Sequence, residues 1–421
     1  MNSIFPYAHP PLYFSTLRIN LLDISNDILS PALILFYGLI IASLYAILMV
    51  PVWLLHARVK QALGGMLMCV QLSIPFLLTS NHTLLLLGIG AFGIGQFYRF
   101  IDLYYFTPAF QSRPIYYTRH ELREEVLKFF RRRNRYRTLP KQPSQSPHQL
   151  EKEGQRETTW LDLLPRFFFH YVTADLLRFY FRGYTYEHYH ALGYDSPWLW
   201  YRLFGVACML CVALNLMWFI ELLQIFTSVI FNKGKINLTH YPALFKSPWC
   251  ASSLGEFWGD RWHQCFHHCF TGVGWHPLRR LIKEHLLPQF PKNKLVATLE
   301  LFLPMIGVFL ASGLMHEYIT LILPHARSPF SMVAFFLLQG MLAAVERLFS
   351  WIFPVHWRAS RIGRVLGWAW TMGSIYVTAP LFFEFFARLE MWNVLGTQPG
   401  IYTWLDARLA NRTISLGAKA L

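Results

Sequence analysis

Long apolar runs recur along this chain, and they constrain its fold more than any other feature. The clearest is Leu295 to Leu323, in which hydrocarbon, aromatic and small side chains dominate. About 20 apolar residues in a helix cross the ~30 Å hydrocarbon core of a bilayer. Because lipid offers no partner for backbone N–H and C=O groups, such a run must be helical there. The sequence therefore predicts an all-α protein with several transmembrane helices.

The runs of this length predict about seven to nine membrane segments. In chain order they are Ile28–Leu55, Ala62–Thr79, Leu84–Tyr104, Trp198–Phe231, Leu295–Leu323, Ser331–Phe353 and Ile362–Ala387. The stretch from Trp160 to Tyr184 instead mixes charged and aromatic residues. We expect an amphipathic helix in the headgroup plane there.

Composition excludes two classes of protein. With 54% hydrophobic and only 14% charged residues, the chain is too apolar for a soluble globule. Its formal charge of +15 is carried by Lys and Arg between the apolar runs. Basic residues in such loops indicate membrane topology and contact with anionic lipid, so we do not expect nucleic-acid binding. The six cysteines do not form a secreted-type disulfide framework.

The basic residues also orient the chain. The polar stretch 107–160 holds the strongest basic run, around Arg131–Arg133, and the positive-inside rule makes it cytoplasmic. The loop 232–290 and the turn His356–Arg364 are basic as well, which gives them the same side. A single crossing cannot join two cytoplasmic loops. We therefore expect a re-entrant or broken segment within 160–235.

Two polar patches stand out against this background. Ser312–Glu317 places a histidine, His316, at the end of an apolar run. An ionisable side chain at membrane depth is costly, so His316 is a candidate functional residue, and we name His263 as its partner. The other patch, Ser253–Thr271, gathers four aromatic or basic residues in one short loop: Trp258, Arg261, Trp262 and His263.

Each of these residues also has a structural interpretation. A histidine near a helix end is often a hydrogen-bonded or interfacial residue. Trp258 and Trp262 can be anchors at headgroup level, where aromatic residues gather, and Arg261 can extend its charge towards water. Glu346, in a later apolar run, can orient a histidine or face a polar cavity, and the sequence leaves both alternatives open.

A zinc site is the other chemistry that the patch Ser253–Thr271 invites. Pairs four residues apart, such as His263 with His267 or Cys265 with Cys269, would share a helix face. A closed site needs four ligands. No second Cys/His pair at ligand spacing follows, so we expect no metal.

The two patches resemble the motifs of a known family. Glu256–Gln264, Glu-Phe-Trp-Gly-Asp-Arg-Trp-His-Gln, resembles the FWGRRWHQ signature of the fungal wax-synthase-like acyltransferases, a branch of the membrane-bound O-acyltransferase superfamily. Ser312–Glu317 resembles that branch's SGxxHE box. Asp260 stands where the signature more often has a basic or small residue. The resemblance covers residues 200 to 390 and implies an endoplasmic reticulum enzyme with a cytosol-facing channel for acyl-CoA.

The resemblance implies a role for each box. His316 is the expected general base, which takes the proton of an alcohol as the alcohol oxygen attacks a thioester. His263 is expected to be catalytic too, and with Arg261 and the Trp262 indole it is a candidate donor to the thioester oxygen. The acyl donor is expected to be oriented by Trp258, Arg261, Trp262 and Gln264. The expected substrate-binding residues are Ser312, Gly313 and Glu317, the first two because small side chains on the face of His316 leave room beside it.

On this basis we predict four parts in the chain. They are N-terminal transmembrane helices (1–106), a basic cytoplasmic loop (107–160), a wax-synthase-like acyltransferase core (161–390) and a C-terminal tail (391–421).

Three functions remain in competition. We expect transfer of an acetyl group from acetyl-CoA to a hydroxyl of a terpenoid or meroterpenoid in secondary metabolite biosynthesis, because fungal members with this form of the box are largely of that kind. The alternative within the family is a long-chain wax ester or sterol ester synthase. A membrane transporter or scaffold is the alternative of another class, but neither specifically needs a Trp/His box paired with an intramembrane histidine.

Overall fold

The structure is a computed structural model, and it describes residues 31–77, 83–130, 158–181, 185–187, 198–231, 233–236, 244–263, 266–291, 293–323, 330–352, 360–391 and 401. Gln264, Cys265 and the asparagines of the Asn-x-Thr sequons, Asn81, Asn237 and Asn411, lie outside the described residues.

The described chain is almost entirely helical. The α-helices are α1 (Pro31–Met49), α2 (Ala57–Leu77), α3 (Thr83–Ile101), α4 (Thr107–Gln111), α5 (Arg119–Phe130), α6 (Trp160–Phe181), α7 (Trp198–Phe231), α8 (Leu254–Glu256), α9 (His267–Phe270), α10 (His276–Leu281), α11 (Leu287–Gln289), α12 (Lys294–Ile322), α13 (Ser331–Ile352) and α14 (Arg361–Arg388). Wider π-helical turns cover Asp102–Phe106, Phe257–Arg261, Thr271–Trp275 and Ile282–Leu286, and Pro248–Cys250 is a 3₁₀ turn. Strands β1 (Thr158–Thr159) and β2 (Lys235–Ile236) form one short antiparallel pair, with Thr158 opposite Ile236.

The predicted all-α membrane fold is confirmed. Within the described ranges, three stretches are both long and apolar enough to cross a bilayer, namely Gly205–Ile230, Lys294–Ile322 and Ser331–Phe349. Leu33–Met49 is a shorter apolar stretch. Helices α1, α2, α3 and α14 occupy the other predicted runs. The total of seven to nine segments stays a prediction.

The described residues cluster into two compact units. One is built from Met1–Glu124 and Cys269–Val333, the other from Glu125–His268 and Ala334–Leu421. In the first unit, α12 is tied to two N-terminal helices through tyrosine hydroxyls. Tyr98 of α3 donates to the carbonyl of Ala311 at 2.8 Å, and Tyr318 of α12 donates to the carbonyl of Leu72 at 2.8 Å.

A close contact between two glycines, Gly274 and Gly307, also holds α12. A Cβ on Gly274 would lie 2.5 Å from the backbone carbonyl of Gly307. Only a residue without a side chain allows the turn Thr271–Trp275 to approach α12 this closely. The two glycines thus fix the position of α12 within the first unit.

In the second unit, α6 and α7 pack against each other through polar and aromatic groups. His170 Nδ1 lies 2.8 Å from Glu221 Oε2. The Trp218 ring meets the ring of Tyr171 edge to face, with centroids 5.5 Å apart. Helix α7 runs without a break from Trp198 to Phe231. The re-entrant or broken segment expected within 160–235 stays a prediction.

The predicted helix over 160–184 is present as α6 (Trp160–Phe181), and its charged residues are divided between buried and exposed positions. Asp175 and Arg178 are 1% and 2% exposed, whereas Phe168 and Tyr180 are 53% and 64% exposed. The two buried charges are paired with each other, Arg178 with Asp175 at 3.3 Å. Asp162 and Arg166, nearer the start of the helix, are exposed. The place of α6 in the headgroup plane stays a prediction.

Candidate active site

The segment Ser253–His263 begins with a capped helical turn. Ser253 has extended backbone angles, and its hydroxyl accepts a hydrogen bond from the Glu256 N–H at 2.9 Å. Glu256 in turn accepts from the Ser252 N–H at 2.8 Å. Ser253 thus caps the helix start, as a serine at the N-cap position commonly does, and Glu256 holds the residue before it.

Helix α13 supplies two further contacts to this segment. Glu346 accepts hydrogen bonds from the N–H groups of Leu254 and Gly255, at 2.7 and 3.3 Å. Of the two roles that the sequence leaves open for Glu346, neither describes this contact, because the carboxylate binds backbone donors. The fully buried Gln339 accepts from the indole Nε1 of Trp258 at 3.0 Å.

Arg261 is fixed at the other end of the turn. Its Nε donates to Glu256 Oε1 at 2.7 Å, and its Nη1 donates to the carbonyl of Lys246 at 2.9 Å. Burial raises the pKa of Glu256, but hydrogen bonds from Ser252 and from Arg261 outweigh burial and hold that pKa below its usual value. The ion pair therefore joins the two ends of the π-helical turn Phe257–Arg261.

Trp262 and His263 directly follow this turn in sequence and lie beside an aromatic cluster. The Trp262 ring stacks on Phe257, with centroids 5.4 Å apart and 18° between the planes. Phe245 contacts both residues, at centroid distances of 5.0 Å to Trp262 and 5.9 Å to His263. The imidazole of His263 is thus held against aromatic walls, where a hydrogen bond is stronger than in water.

A cavity of about 420 Å³ opens beside Arg261. Its lining combines two guanidinium groups with a carboxylate, an indole and small groups: Cys250, Ser252, Glu256, Arg261, Arg364, Val365 and Trp368. Phosphate groups are favourable ligands for guanidinium groups, which donate to them in pairs.

His316 lies on α12 in the first unit, and its tautomer follows from one contact. Nδ1 is 2.8 Å from the backbone carbonyl of Ser312. A carbonyl oxygen only accepts, so Nδ1 carries the hydrogen and Nε2 carries the lone pair of the neutral ring. Ser312 and Gly313, one turn earlier, are buried. In the neutral ring, this tautomer leaves Nε2 as the acceptor that a general base requires.

Glu317 faces another sector of α12. Its Oε1 accepts from the N–H of Phe330 at 2.8 Å, directly before α13 begins. Its Oε2 is buried and has no hydrogen-bond partner among the described residues. Because consecutive residues of a helix point about 100° apart, Glu317 and His316 do not share one face.

The structure thus groups the predicted residues into two sets. Ser312, Gly313, His316 and Glu317 lie together on α12, and Trp258, Arg261, Trp262 and His263 lie together in the segment that starts at Ser253. Each set belongs to a different compact unit. The partnership of His263 with His316 stays a prediction, as does every role assigned to these residues.

Sequence reasoning missed Gln339 and Thr378. Gln339 Nε2 donates to Thr378 Oγ1 at 2.7 Å, which links α13 to α14. The signal available was an amide inside an apolar run, since a buried amide in such a run needs partners. As for metals, no group of three or more His, Cys, Asp or Glu side chains in the described ranges is arranged to hold an ion.

Comparison with known proteins places this site in context. Residues 241–338 match the model of a family described as "Membrane bound O-acyl transferase family". A long-chain-alcohol O-fatty-acyltransferase of Simmondsia chinensis is 28% identical over 151 residues, 36% of this chain and 39% of the relative. An acyl-CoA–sterol O-acyltransferase of Arabidopsis thaliana is 32% identical over 136 residues, 32% of this chain and 35% of the relative.

These matches support the membrane-bound O-acyltransferase superfamily and do not reach a particular branch of it. The chain spans about two fifths of the length of the first of these relatives (39%). No solved structure matches the chain significantly.

Proposed function

We propose that this protein is a membrane O-acyltransferase that moves an acyl group from acyl-CoA to the hydroxyl of a hydrophobic alcohol. The observation that carries the proposal is the tautomer of His316, whose Nδ1 lies 2.8 Å from the Ser312 carbonyl within an apolar helix. The family match over 241–338, which contains both boxes, supports the same reaction.

In the proposed reaction, Nε2 of His316 takes the proton of the alcohol as the alcohol oxygen attacks the thioester carbon. The negative charge that develops on the thioester oxygen needs a donor. Of the candidate donors, Arg261 already bonds Glu256 and Lys246 through Nε and Nη1. We assign this role to His263, and the Trp262 indole is the alternative donor. Collapse of the tetrahedral intermediate breaks the carbon–sulfur bond, and the proton on His316 passes to the departing coenzyme A thiolate.

The acyl donor is proposed to lie along the second unit. Trp258, Trp262 and Gln264 would orient it, and Arg261 with Arg364 would meet its phosphates in the cavity beside them. Ser312 and Gly313 would leave room for the alcohol next to His316. Glu317, bonded to the backbone of Phe330, would hold the edge of that space rather than touch the reacting atoms.

Two acyl donors are in competition. The resemblance of Glu256–Gln264 to the fungal branch favours an acetyl group and a terpenoid or meroterpenoid alcohol in secondary metabolite biosynthesis, in the endoplasmic reticulum membrane. The plant relatives, named as long-chain-alcohol and sterol acyltransferases, favour the alternative of a wax ester or sterol ester synthase.

The test separates these outcomes in one experiment. Microsomes that contain the protein are incubated with radiolabelled acetyl-CoA or palmitoyl-CoA and with a terpenoid alcohol, a long-chain alcohol or a sterol. A labelled acetyl ester of the terpenoid supports the first assignment, and a palmitoyl ester of the long-chain alcohol or sterol supports the alternative. If no donor and alcohol pair gives an ester above the level of control microsomes, the acyltransferase proposal is wrong.

A further inference from the structure

Helix α13 carries two polar side chains that bond to the segment Ser253–His263, and they lie within a stretch that is apolar enough to cross a membrane, Ser331–Phe349. They are Gln339, which is fully buried, and Glu346. Two helical turns separate them, so they lie on the same face of α13. A buried amide or carboxylate is costly unless it is hydrogen-bonded, so the partners of these groups indicate their use.

Gln339 fixes the direction of one indole. Its Oε1 accepts from Trp258 Nε1 at 3.0 Å, and its Nε2 donates to Thr378 Oγ1 at 2.7 Å. The Thr378 hydroxyl itself donates to the carbonyl of Ser374 at 2.8 Å. These hydrogen bonds fix the orientation of the Gln339 amide, because in the flipped orientation its NH₂ group would face the indole N–H of Trp258, and both groups are donors. Trp258 also meets the Phe336 ring, with centroids 5.8 Å apart.

Glu346 fixes the start of the same segment. The first N–H groups of a helix have no partner within it and attract negative charge. Glu346 accepts from the first two, on Leu254 and Gly255, and Ser253 accepts from the third, on Glu256. The carboxylate thus performs, from a distant helix, the capping that a local side chain usually provides.

We propose that Gln339 and Glu346 are positioning residues that set the place of Trp258 to His263 for the acyl donor, an inference that rests on the proposed function. The two contacts hold the helical run at its first residue and again one turn later. Arg261, Trp262 and His263 follow directly, so their positions depend on both. Neither Gln339 nor Glu346 touches the reacting atoms.

The Gln339 arm of the test is a double-mutant cycle. Gln339→Met removes the amide at similar volume, and Trp258→Phe removes the indole N–H. Each variant is expected to raise the KM for acyl-CoA about ten-fold, the scale of one buried hydrogen bond, and to leave the KM for the alcohol unchanged. The combined variant should be no worse than the worse single variant, since both act through one bond.

The Glu346 arm uses rescue by a conservative variant. Glu346→Leu should raise the KM for acyl-CoA, whereas Glu346→Gln, which keeps one acceptor oxygen, should restore much of the loss. Met341→Leu is the matched control, because Met341 lies on the same helix and is 49% exposed. If all variants lower the maximal rate only in proportion to protein abundance and leave every KM unchanged, Gln339 and Glu346 are merely structural and the inference is wrong.

A measurement that needs no activity separates this inference from the proposed function. In purified full-length protein, Glu346→Leu should speed hydrogen–deuterium exchange at Leu254 and Gly255 about ten-fold. Exchange across α12 should be unchanged. Absence of acyl transfer in the wild type would overturn the proposed function alone. Unchanged exchange at both amides would overturn the positioning role of Glu346 even in an active enzyme.

Discussion

The crossing of Gly274 and Gly307 makes a quantitative prediction about α12, the helix that carries His316. In Gly274→Ala, the new Cβ would lie 2.5 Å from the Gly307 carbonyl and 2.7 Å from the backbone N of Val308. The obstructing atoms are backbone, so α12 itself would have to move by about 1 Å to restore van der Waals contact. Overpacking of this kind costs about 1–3 kcal/mol.

We expect Gly274→Ala to lower the apparent unfolding temperature in detergent, measured by size-exclusion chromatography after heating. Activity should fall further than stability, because a displacement of about 1 Å at a reacting group can cost 10²-fold in rate. The control is Gly88→Ala in α3, where a Cβ would meet no atom within 4 Å. A Gly274→Ala protein that melts and turns over like the control would refute the close crossing of α12.

Two further predictions concern metal and topology. His263→Ala should strongly reduce turnover, whereas Cys265→Ser and Cys269→Ser should be tolerated and chelators should have no effect. Zinc bound in stoichiometric amount to the purified protein, and lost from the cysteine variants, would show instead that this segment binds metal. The basic loops place the sequon at Asn237 in the cytoplasm and the sequon at Asn411 in the lumen. We therefore expect a glycan on Asn411 that endoglycosidase removes. A glycan on Asn237 would put the Trp258–His263 region away from cytosolic acyl-CoA and contradict the mechanism.

Features of the chain that depend on local sequence could be predicted. The apolar run Trp198–Phe231 is α7 to the residue, because length and hydropathy alone decide such a helix. The N-cap contact of Ser253 with the Glu256 N–H is likewise a local pattern, with both partners within one helical turn.

Features that depend on pairing between distant residues could not be predicted. The contact between His170 of α6 and Glu221 of α7 joins residues 51 positions apart in the sequence. The contact between Gln339 and Trp258 joins residues from different helices, and no periodicity within either segment shows it. The candidate site was therefore visible as motifs, whereas the side chains that hold one of those motifs in place were not.

The central claim is that His316 is the general base, and one measurement tests it directly. His316→Ala and the control His285→Ala, which changes an exposed histidine, are compared for acyl transfer at equal amounts of membrane-inserted protein. The account predicts a loss of at least ~10² in rate for His316→Ala, the usual scale for a positioned base, and no loss for His285→Ala. Turnover near that of the wild type in a correctly inserted His316→Ala protein would contradict it.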